Sequence, residues 1–295
     1  MSMSPVRRLV TALLAAVCAV PAVAVAVAAP APTPTLVGIR AAHHPGYDRV
    51  VLDFRGGLPA SRQVSYVRTL VGDASGKPVR IAGQAILKVR LEPAQAHDAA
   101  GRSTAPGRVA FALPNVMNVV RAGDFEAVTT YGIGLARRQP FTVSTLSHPS
   151  RVVIDIRAAF PTVSRKVWFL DRNRFVANTP PFFVPVRRPV QPATPATGVM
   201  DRIYAGPLAG EHAAGLRLLL SGSTGYRGLR VTAGVARVQL VGGCSSGGST
   251  VTVAGQIQPS LRQLSTVDVV KIYDPAGSTE HPAGRVDSIP TCLEP

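Results

Sequence analysis

The sequence predicts two domains after a signal peptide: an N-terminal all-β sandwich or barrel, and a C-terminal α+β domain. An Arg/Val/Asp pattern with an apolar residue at every second position occurs twice, at 49–55 and 151–157. A period of two indicates strands with one buried face. Many short alternating segments with turn residues lie between the copies, whereas helical patterns occur only in the second half. The length of 295 residues is ample for two cores.

Residues 1–28 have the pattern of a signal peptide. Arg7-Arg8 precede an apolar run rich in Ala and Val, and small residues recur up to Ala28, which suits cleavage there. A retained membrane anchor is one alternative, because the run is nearly long enough to span a bilayer. A lipid anchor at Cys18 is another, although the residue before it is larger than bacterial lipoproteins prefer. Cleavage would leave an exported protein without a membrane span.

Residues 29–35 are an Ala/Pro/Thr linker, expected to be extended. The β domain is predicted to span residues 36–158, with 49–55 and 151–157 as its opening and closing strands. Asp53 and Asp155 each have an arginine four residues before and two residues after them, on the same face of the strand. Further strands are predicted at 36–40, 64–67, 79–82, 85–91 and 141–146, and a polar loop at 92–106.

The α+β domain is predicted to span residues 165–295. Its strands are expected at 167–170, 182–189 (kept to a sheet edge by prolines), 229–232, 235–240 and 267–273. Thr197 can cap a helix that carries Val199, Met200, Ile203 and Tyr204, and Pro207 can start a short helix through Ala214. A third helix after Ser249 or Thr250 aligns Val253, Ile257, Leu261 and Leu264. Pro259 is tolerated inside it because Gly255 lies at i−4.

Charge and cysteine usage both fit export. The formal net charge is +16 and comes mostly from arginine. Such a protein is expected to associate with anionic wall polymers or lipid head groups. Nucleic acid is the usual partner for this charge, but the signal peptide argues against it. Removing the signal leaves Cys244 and Cys292, which predicts a disulfide that closes a loop of about fifty residues and is worth ~4 kcal/mol; two free thiols are the alternative.

Five motifs of the first half have a common family pattern: 47–59, Leu113-Pro114-Asn115-Val116, Gly123-Asp124-Phe125-Glu126, 130–135 and 149–155. In these residues the first half resembles the AMIN-like domain of actinobacterial exported proteins. The better-known AMIN domains are β-sandwiches that attach wall amidases and secretins to peptidoglycan. The resemblance therefore implies a binding module of the cell envelope.

The second half has a family pattern of its own, which runs through 168–170, 205–207, 214–216, 235–238, 247–250, 261–264 and 267–272. In these segments it is similar to the GerMN domain of germination and sporulation proteins. GerMN domains are non-catalytic α+β modules that assemble or scaffold envelope proteins. The cysteine pair departs from the general family pattern.

One motif suggests catalysis. Residues 243–247 satisfy G-x-S-x-G between a strand and a helix, with Asp268, Asp274 and His281 downstream in hydrolase order. Ser245 would be the nucleophile and His281 the base. The alternative is a Gly/Ser-rich loop tied by the disulfide, and we favour it because this half is far shorter than an α/β-hydrolase. No metal-ligand spacing and no phosphate-binding motif occurs, so no cofactor is expected.

Two surfaces are candidates for binding. The first is a cross-strand charge ladder made of Arg49, Asp53, Arg55, Arg151, Asp155 and Arg157, with Tyr131 near it. Arginine forks and an aromatic face suit a saccharide or a peptide stem; the alternative is a solvated ladder that only fixes strand register. The second surface is Arg165, Lys166, Arg172, Arg174, Arg187 and Arg188, interleaved with Trp168, Phe169, Phe175, Phe182 and Phe183. There we expect a solvated arginine face over core aromatics.

The leading hypothesis is a non-enzymatic, secreted cell-envelope protein that binds peptidoglycan or another anionic wall polymer. A serine hydrolase using Ser245 and a protein–protein assembly module with envelope partners are the alternatives. No nucleic acid partner is expected.

Overall fold

A computed structural model describes Met1 and residues 32–295. The predicted signal peptide, its cleavage near Ala28 and the alternative lipid anchor at Cys18 lie outside the described residues. Residues 32–295 form one compact unit. Among them, no helix is long and apolar enough to cross a membrane.

The first half of this unit is a sandwich of two antiparallel sheets. Its strands are β1 (Thr35–His44), β2 (Tyr47–Arg55), β3 (Ser61–Val67), β4 (Ala85–Glu92), β5 (Arg108–Ala110), β6 (Val116–Phe125), β7 (Val128–Leu135), β8 (Phe141–Ser147) and β9 (Ser150–Arg157). One sheet has the order β1-β2-β9-β8 and the other the order β3-β4-β7-β6-β5. The prediction of an all-β first half is confirmed, and the two repeated segments are neighbouring strands.

The core of the sandwich follows from the period of two. The even-numbered apolar residues of β2 and β9 point inward and are almost fully buried: Val50, Leu52, Phe54, Val152, Ile154 and Ile156. They meet Leu87, Val89, Tyr131, Ile133 and Leu135 from the opposite sheet in one hydrophobic cluster. Burial of these large apolar side chains is the main stabilising contribution to this half.

The prediction of a strand at 79–82 is wrong. This segment instead passes across the outer face of β7, where Gly134 lies directly under the Ala82 carbonyl. A Cβ at Gly134 would overlap that oxygen, and one at Gly132 would overlap the side chain of Leu70. Gly134 therefore allows a close backbone approach, which is a usual reason for glycine inside a strand, and Gly132 leaves room for the side chains of Leu70 and Ile81.

The second half combines strands and helices. Its strands are β10 (Val163–Asp171), β11 (Phe183–Val190), β12 (Leu216–Arg217), β13 (Ser223–Thr232), β14 (Val235–Gly242) and β15 (Val269–Tyr273); its helices are α1 (Arg172–Val176), α2 (Pro195–Ala205), α3 (Ala209–Ala213) and α4 (Ala254–Arg262). The sheets have the orders β11-β10-β12 and β13-β14-β15, and β14 pairs with β15 in parallel. The proline-containing β11 lies at a sheet edge, as predicted.

Helix positions differ from the predicted ones by a few residues. Helix α2 begins at Pro195 rather than after Thr197, because a proline at the first helical position needs no backbone donor. Helix α4 begins at Ala254 and contains Pro259. Gly255 also has a packing role, since a Cβ there would overlap the ring of Phe183.

The two halves share a hydrophobic core. Helices α2 and α4 pack with β10, β14 and β15 around Phe169, Ile203, Val238 and Ile257. Ala82 and Met117, which belong to the first half by sequence, lie in the same cluster. The domain boundaries at 36–158 and 165–295 remain a prediction, because both halves belong to one compact unit.

Candidate functional site

The repeated strands form the predicted ladder. In the antiparallel register of β2 and β9, Arg49 lies opposite Asp155, and Asp53 lies opposite Arg151. Arg49 binds Asp155 with a bidentate fork, with both N–O distances at 2.7 Å. Hydrogen bonding to this carboxylate raises the pKa of Arg49. This fork fixes the register of the two strands on the outer face.

The second rung of the ladder uses a residue that sequence reasoning missed. Asp53 receives hydrogen bonds from Arg40 on β1, at 2.9 and 3.1 Å, rather than from Arg151. Arg40 is placed there by the pairing of β1 with β2. Arg151 donates from Nε to the Pro149 carbonyl at 3.2 Å. The alternating pattern of β1 predicts that Arg40 faces outward. It does not indicate which strand pairs with β1, so the contact with Asp53 could not be predicted.

Uncompensated positive charge remains on this sheet face. Its outward positions carry five arginines and two aspartates: Arg40, Arg49, Arg55, Arg151, Arg157, Asp53 and Asp155. Arg55 and Arg157 are exposed. Within residues 32–295, no carboxylate forms an ion pair with Arg55, Arg151 or Arg157. These three guanidinium groups are available to an anion.

Tyr131 does not lie on this face. It is fully buried on β7 in the opposite sheet, and its hydroxyl donates to the Pro106 carbonyl at 3.3 Å. The prediction failed because Tyr131 shares the inward phase of Ile133 and Leu135. The aromatic group of the face is Tyr47, two residues before Arg49. Its ring stacks on His44 at 5.0 Å, and the Arg49 guanidinium lies 5.3 Å from its centroid.

A shallow depression completes the face. It has a volume of about 240 Å³ and is lined by Arg40, Ala42, His44, Arg49 and Val51, among others. The exposed hydroxyls of Thr142 and Ser144 on β8 extend the face on the far side of β9. Guanidinium forks, an aromatic ring pair and hydroxyls on one flat surface can bind the carboxylates and sugar rings of an extended polymer.

We refer to this surface, formed by the outward residues of the sheet β1-β2-β9-β8, as the arginine face. The strands that form the arginine face lie in a part of the chain that matches a known domain family. Residues 34–158 match the family model of the AMIN-like domain. The predicted range of 36–158 agrees with this match. Comparison with curated proteins and with solved structures gives no match. The GerMN-like character of residues 165–295 stays a prediction.

Two polar motifs of the AMIN-like domain are structural. Asp48 is fully buried, and its Oδ2 accepts from the backbone amides of Asn115 and Val116 at 2.7 and 2.9 Å. Its Oδ1 lies 2.7 Å from Nδ1 of His43. Asn115 in turn donates to the Arg157 carbonyl at 3.2 Å and accepts from the Arg137 amide at 3.0 Å. These bonds hold the loop before β6 against β2 and β9.

The same loop of the AMIN-like domain forms a socket for Arg202 on α2. Arg202 is 1% exposed. It donates to the Phe111 carbonyl at 2.8 Å, to the Leu113 carbonyl, and to the Pro189 carbonyl at 3.0 Å. Burial, followed by the charge of Arg188, lowers its pKa to about 10. Arg202 therefore joins the two halves through backbone acceptors.

The second candidate surface is only partly as predicted. Arg172, Arg174 and Arg187 are exposed and Phe169 is buried, which matches the expectation. Arg188, however, is buried, with Glu211 as its bidentate partner and its guanidinium 5.9 Å from the centroid of Phe169. We expected Arg188 to face solvent because it is charged. The carboxylate of Glu211 on α3 pairs with it and allows it to be buried.

The Ser245 loop is held by the disulfide. Cys244 and Cys292 are bonded, and the Ser246 amide donates to the Cys292 carbonyl at 2.7 Å. The Ser245 hydroxyl is exposed and accepts from the Gly247 amide at 3.1 Å. In the described part of the chain, no histidine ring nitrogen is hydrogen-bonded to it. Within the same residues, no group of three His, Cys, Asp or Glu side chains is placed to hold a metal ion.

Proposed function

We propose that this protein is a non-catalytic, exported cell-envelope protein whose arginine face binds peptidoglycan or another anionic wall polymer. AMIN-like domains generally serve as peptidoglycan-binding or envelope modules. In this proposal, residues 1–28 are an export signal of an actinobacterial protein. The GerMN-like second half supports the face or contacts envelope proteins.

The observation that carries the proposal is a set of three arginines without a carboxylate partner, Arg55, Arg151 and Arg157, on one sheet face. Arg157 lies opposite Tyr47, whose ring stacks on His44. The Arg49–Asp155 and Arg40–Asp53 pairs account for strand register, and three further arginines of the same face have no carboxylate partner. Free guanidinium groups form charge-assisted, bidentate bonds with carboxylates. Peptide stems of peptidoglycan present such carboxylates beside sugar rings, and sugar rings stack on aromatic faces.

Co-sedimentation with purified peptidoglycan tests the proposal. The triple variant Arg55→Gln/Arg151→Gln/Arg157→Gln should bind at least about fivefold more weakly at low salt, since it removes the three unpaired charges. The matched control is Arg165→Gln/Arg172→Gln/Arg187→Gln, which removes the same charge from the second half and should bind like the wild type.

Equal loss in both triple variants would show attraction by net charge alone and would contradict a specific face. If the wild-type protein is not retained on peptidoglycan at moderate salt, the proposal that it binds this polymer is contradicted. Covalent labelling of Ser245 by a fluorophosphonate would contradict the non-catalytic part. Envelope proteins captured equally by both triple variants, without polymer binding, would favour the assembly module instead.

A further inference from the structure

A second, larger cavity lies at the edge of the sandwich where β1 and β5 end the two sheets, next to the second half of the protein. Its volume is about 640 Å³, within the range of small-molecule sites. Strands β1 and β5 contribute Ile39 and Val109, and the segment after α3 contributes Leu218 and Leu220. Most of the remaining wall is Ala, Gly and Pro. The walls of the cavity are therefore mainly apolar.

The polar groups of this cavity are basic. Arg80, Arg108, His212 and Arg217 line it, and no Asp or Glu of residues 32–295 is among its lining residues. Arg217 donates to the His212 and Leu216 carbonyls at 2.6 and 2.9 Å. These bonds pair the N–H donors of Arg217, but a carbonyl acceptor carries no negative charge that could balance the guanidinium group. A cluster of cations inside a partly closed space needs a counter-charge from elsewhere.

Arg108 has a buried donor atom without a hydrogen-bond partner among the described residues. This atom is its Nη1, while Nη2 donates to the Arg80 carbonyl. Buried polar groups in proteins are nearly always hydrogen-bonded, so an orphaned donor points to a ligand. Burial, followed by the nearby charge of Arg80, lowers the pKa of Arg108 to about 10.

Arg80 shares this environment. It donates from Nη1 to the Tyr204 carbonyl of α2 at 2.8 Å, and burial lowers its pKa. Arg80 therefore bridges the two halves, and its charge acts on Arg108 in the same cavity, which has no carboxylate among its lining residues. Two arginines that line one cavity can bind a carboxylate or a phosphate.

We propose that this cavity binds an amphiphilic anion, with a carboxylate or phosphate head against Arg108 and Arg80 and a hydrocarbon tail along Ile39, Leu218 and Leu220. The head supplies the acceptor that Arg108 lacks, and the tail fills the apolar body. A sugar polymer does not fit this site, because its hydroxyls would lie against aliphatic walls. The proposal is independent of polymer binding by the arginine face.

Isothermal titration calorimetry with octyl phosphate, octanoate and 1-octanol tests it, each below its micelle or solubility limit. We expect the better of the two anions to bind with a dissociation constant of about 100 µM or lower. The alcohol, which has the same tail without the charge, should bind at least about tenfold more weakly. The ratio between octyl phosphate and octanoate distinguishes a phosphate head group from a fatty-acid carboxylate.

Two variants locate the site. Arg108→Gln should weaken binding of the better anion at least about tenfold, because it removes the charged donor. Ala209→Trp should do the same by filling the opening, and it should fold normally because Ala209 is exposed. Arg55→Gln removes an equal charge from the arginine face and should bind like the wild type.

The proposal is overturned if neither anion binds at millimolar concentration, or if 1-octanol binds as tightly as the anions. Unchanged binding in Ala209→Trp would also overturn it, and this variant decides the question if Arg108→Gln does not fold.

Discussion

At the scale of single residues, Asp201 is a buried carboxylic acid with a raised pKa. It lies on α2, is 4% exposed, and accepts from the Gln84 amide at 3.1 and 3.0 Å and from the Tyr226 hydroxyl at 2.8 Å. Burial raises its pKa from 3.8 to about 6, although hydrogen bonds from Gln84 and Tyr226 favour the charged form. Desolvation therefore outweighs the neutral donors.

We predict that Asp201 makes the protein less stable as pH rises from about 4 to 6. The folded state holds the proton up to its higher pKa, while the unfolded carboxyl loses it near 3.8, so folding is favoured below this window and penalised above it. The full penalty is about 2–3 kcal/mol at neutral pH. Urea unfolding at pH 4, 5, 6 and 7 measures it.

Asp201→Asn is the matched control for this prediction, because the amide keeps the shape and cannot titrate. The free energy of unfolding of the wild type should fall relative to that of Asp201→Asn across the window. A constant difference between the two proteins from pH 4 to 7 would contradict the raised pKa.

Some site residues could be predicted from the sequence and others could not. The common outward face of Arg49, Asp53, Arg151 and Asp155 follows from two copies of one period-two pattern. The pairing of Arg49 with Asp155 depends on the antiparallel register, which the pattern does not indicate. Tyr131 was misplaced because its strand has both faces covered, which an alternating pattern does not reveal. Asp201 and Arg202 lie on the polar side of an amphipathic helix, which normally faces solvent; here it meets the other half of the protein.

At the scale of elements, the disulfide ties the loop before α4 to the C-terminal 3-10 turn, Thr291–Leu293. We predict that Cys244→Ser/Cys292→Ser lowers the free energy of unfolding by about 4 kcal/mol, because the bond closes a long loop in the unfolded chain. Urea unfolding of the oxidised wild type and the double variant measures the loss.

Wild-type protein under reducing conditions is the control and should match the double variant within about 0.5 kcal/mol. A loss below about 1 kcal/mol would mean that the C-terminal turn is held mainly by its packing, for example through the buried Leu293.

The strands could be predicted better from the sequence than the segments that connect them. The hairpin of β13 and β14 could be recognised because Ala233-Gly234 joins two alternating runs, and both residues adopt positive φ. The segment at 79–82 has the composition of a strand but makes no sheet. It makes tertiary contacts instead, with the Ala82 carbonyl over Gly134 and the Ile81 side chain over Gly132, which a local pattern cannot indicate.

At the scale of the whole molecule, Arg202 fastens the second half to the first. We predict that Arg202→Met lowers the free energy of unfolding by about 3–5 kcal/mol, because the buried carbonyls of Phe111, Leu113 and Pro189 lose their donor. Arg172→Met, at an exposed position, should change it by less than about 0.5 kcal/mol.

The two halves should unfold together in the wild type. Trp168, the only tryptophan, reports on the second half, while far-UV circular dichroism reports on both. Their urea midpoints should coincide in the wild type and separate in Arg202→Met. Separate midpoints in the wild type would contradict the shared core.

Ala82 and Met117 complete a hydrophobic cluster that belongs mainly to the partner half of the chain. Recombination that replaced everything after residue 162 with an unrelated module would leave both side chains, and the carbonyls that bind Arg202, facing water. An engineer who grafts the arginine face onto another protein must therefore also redesign positions 82 and 117.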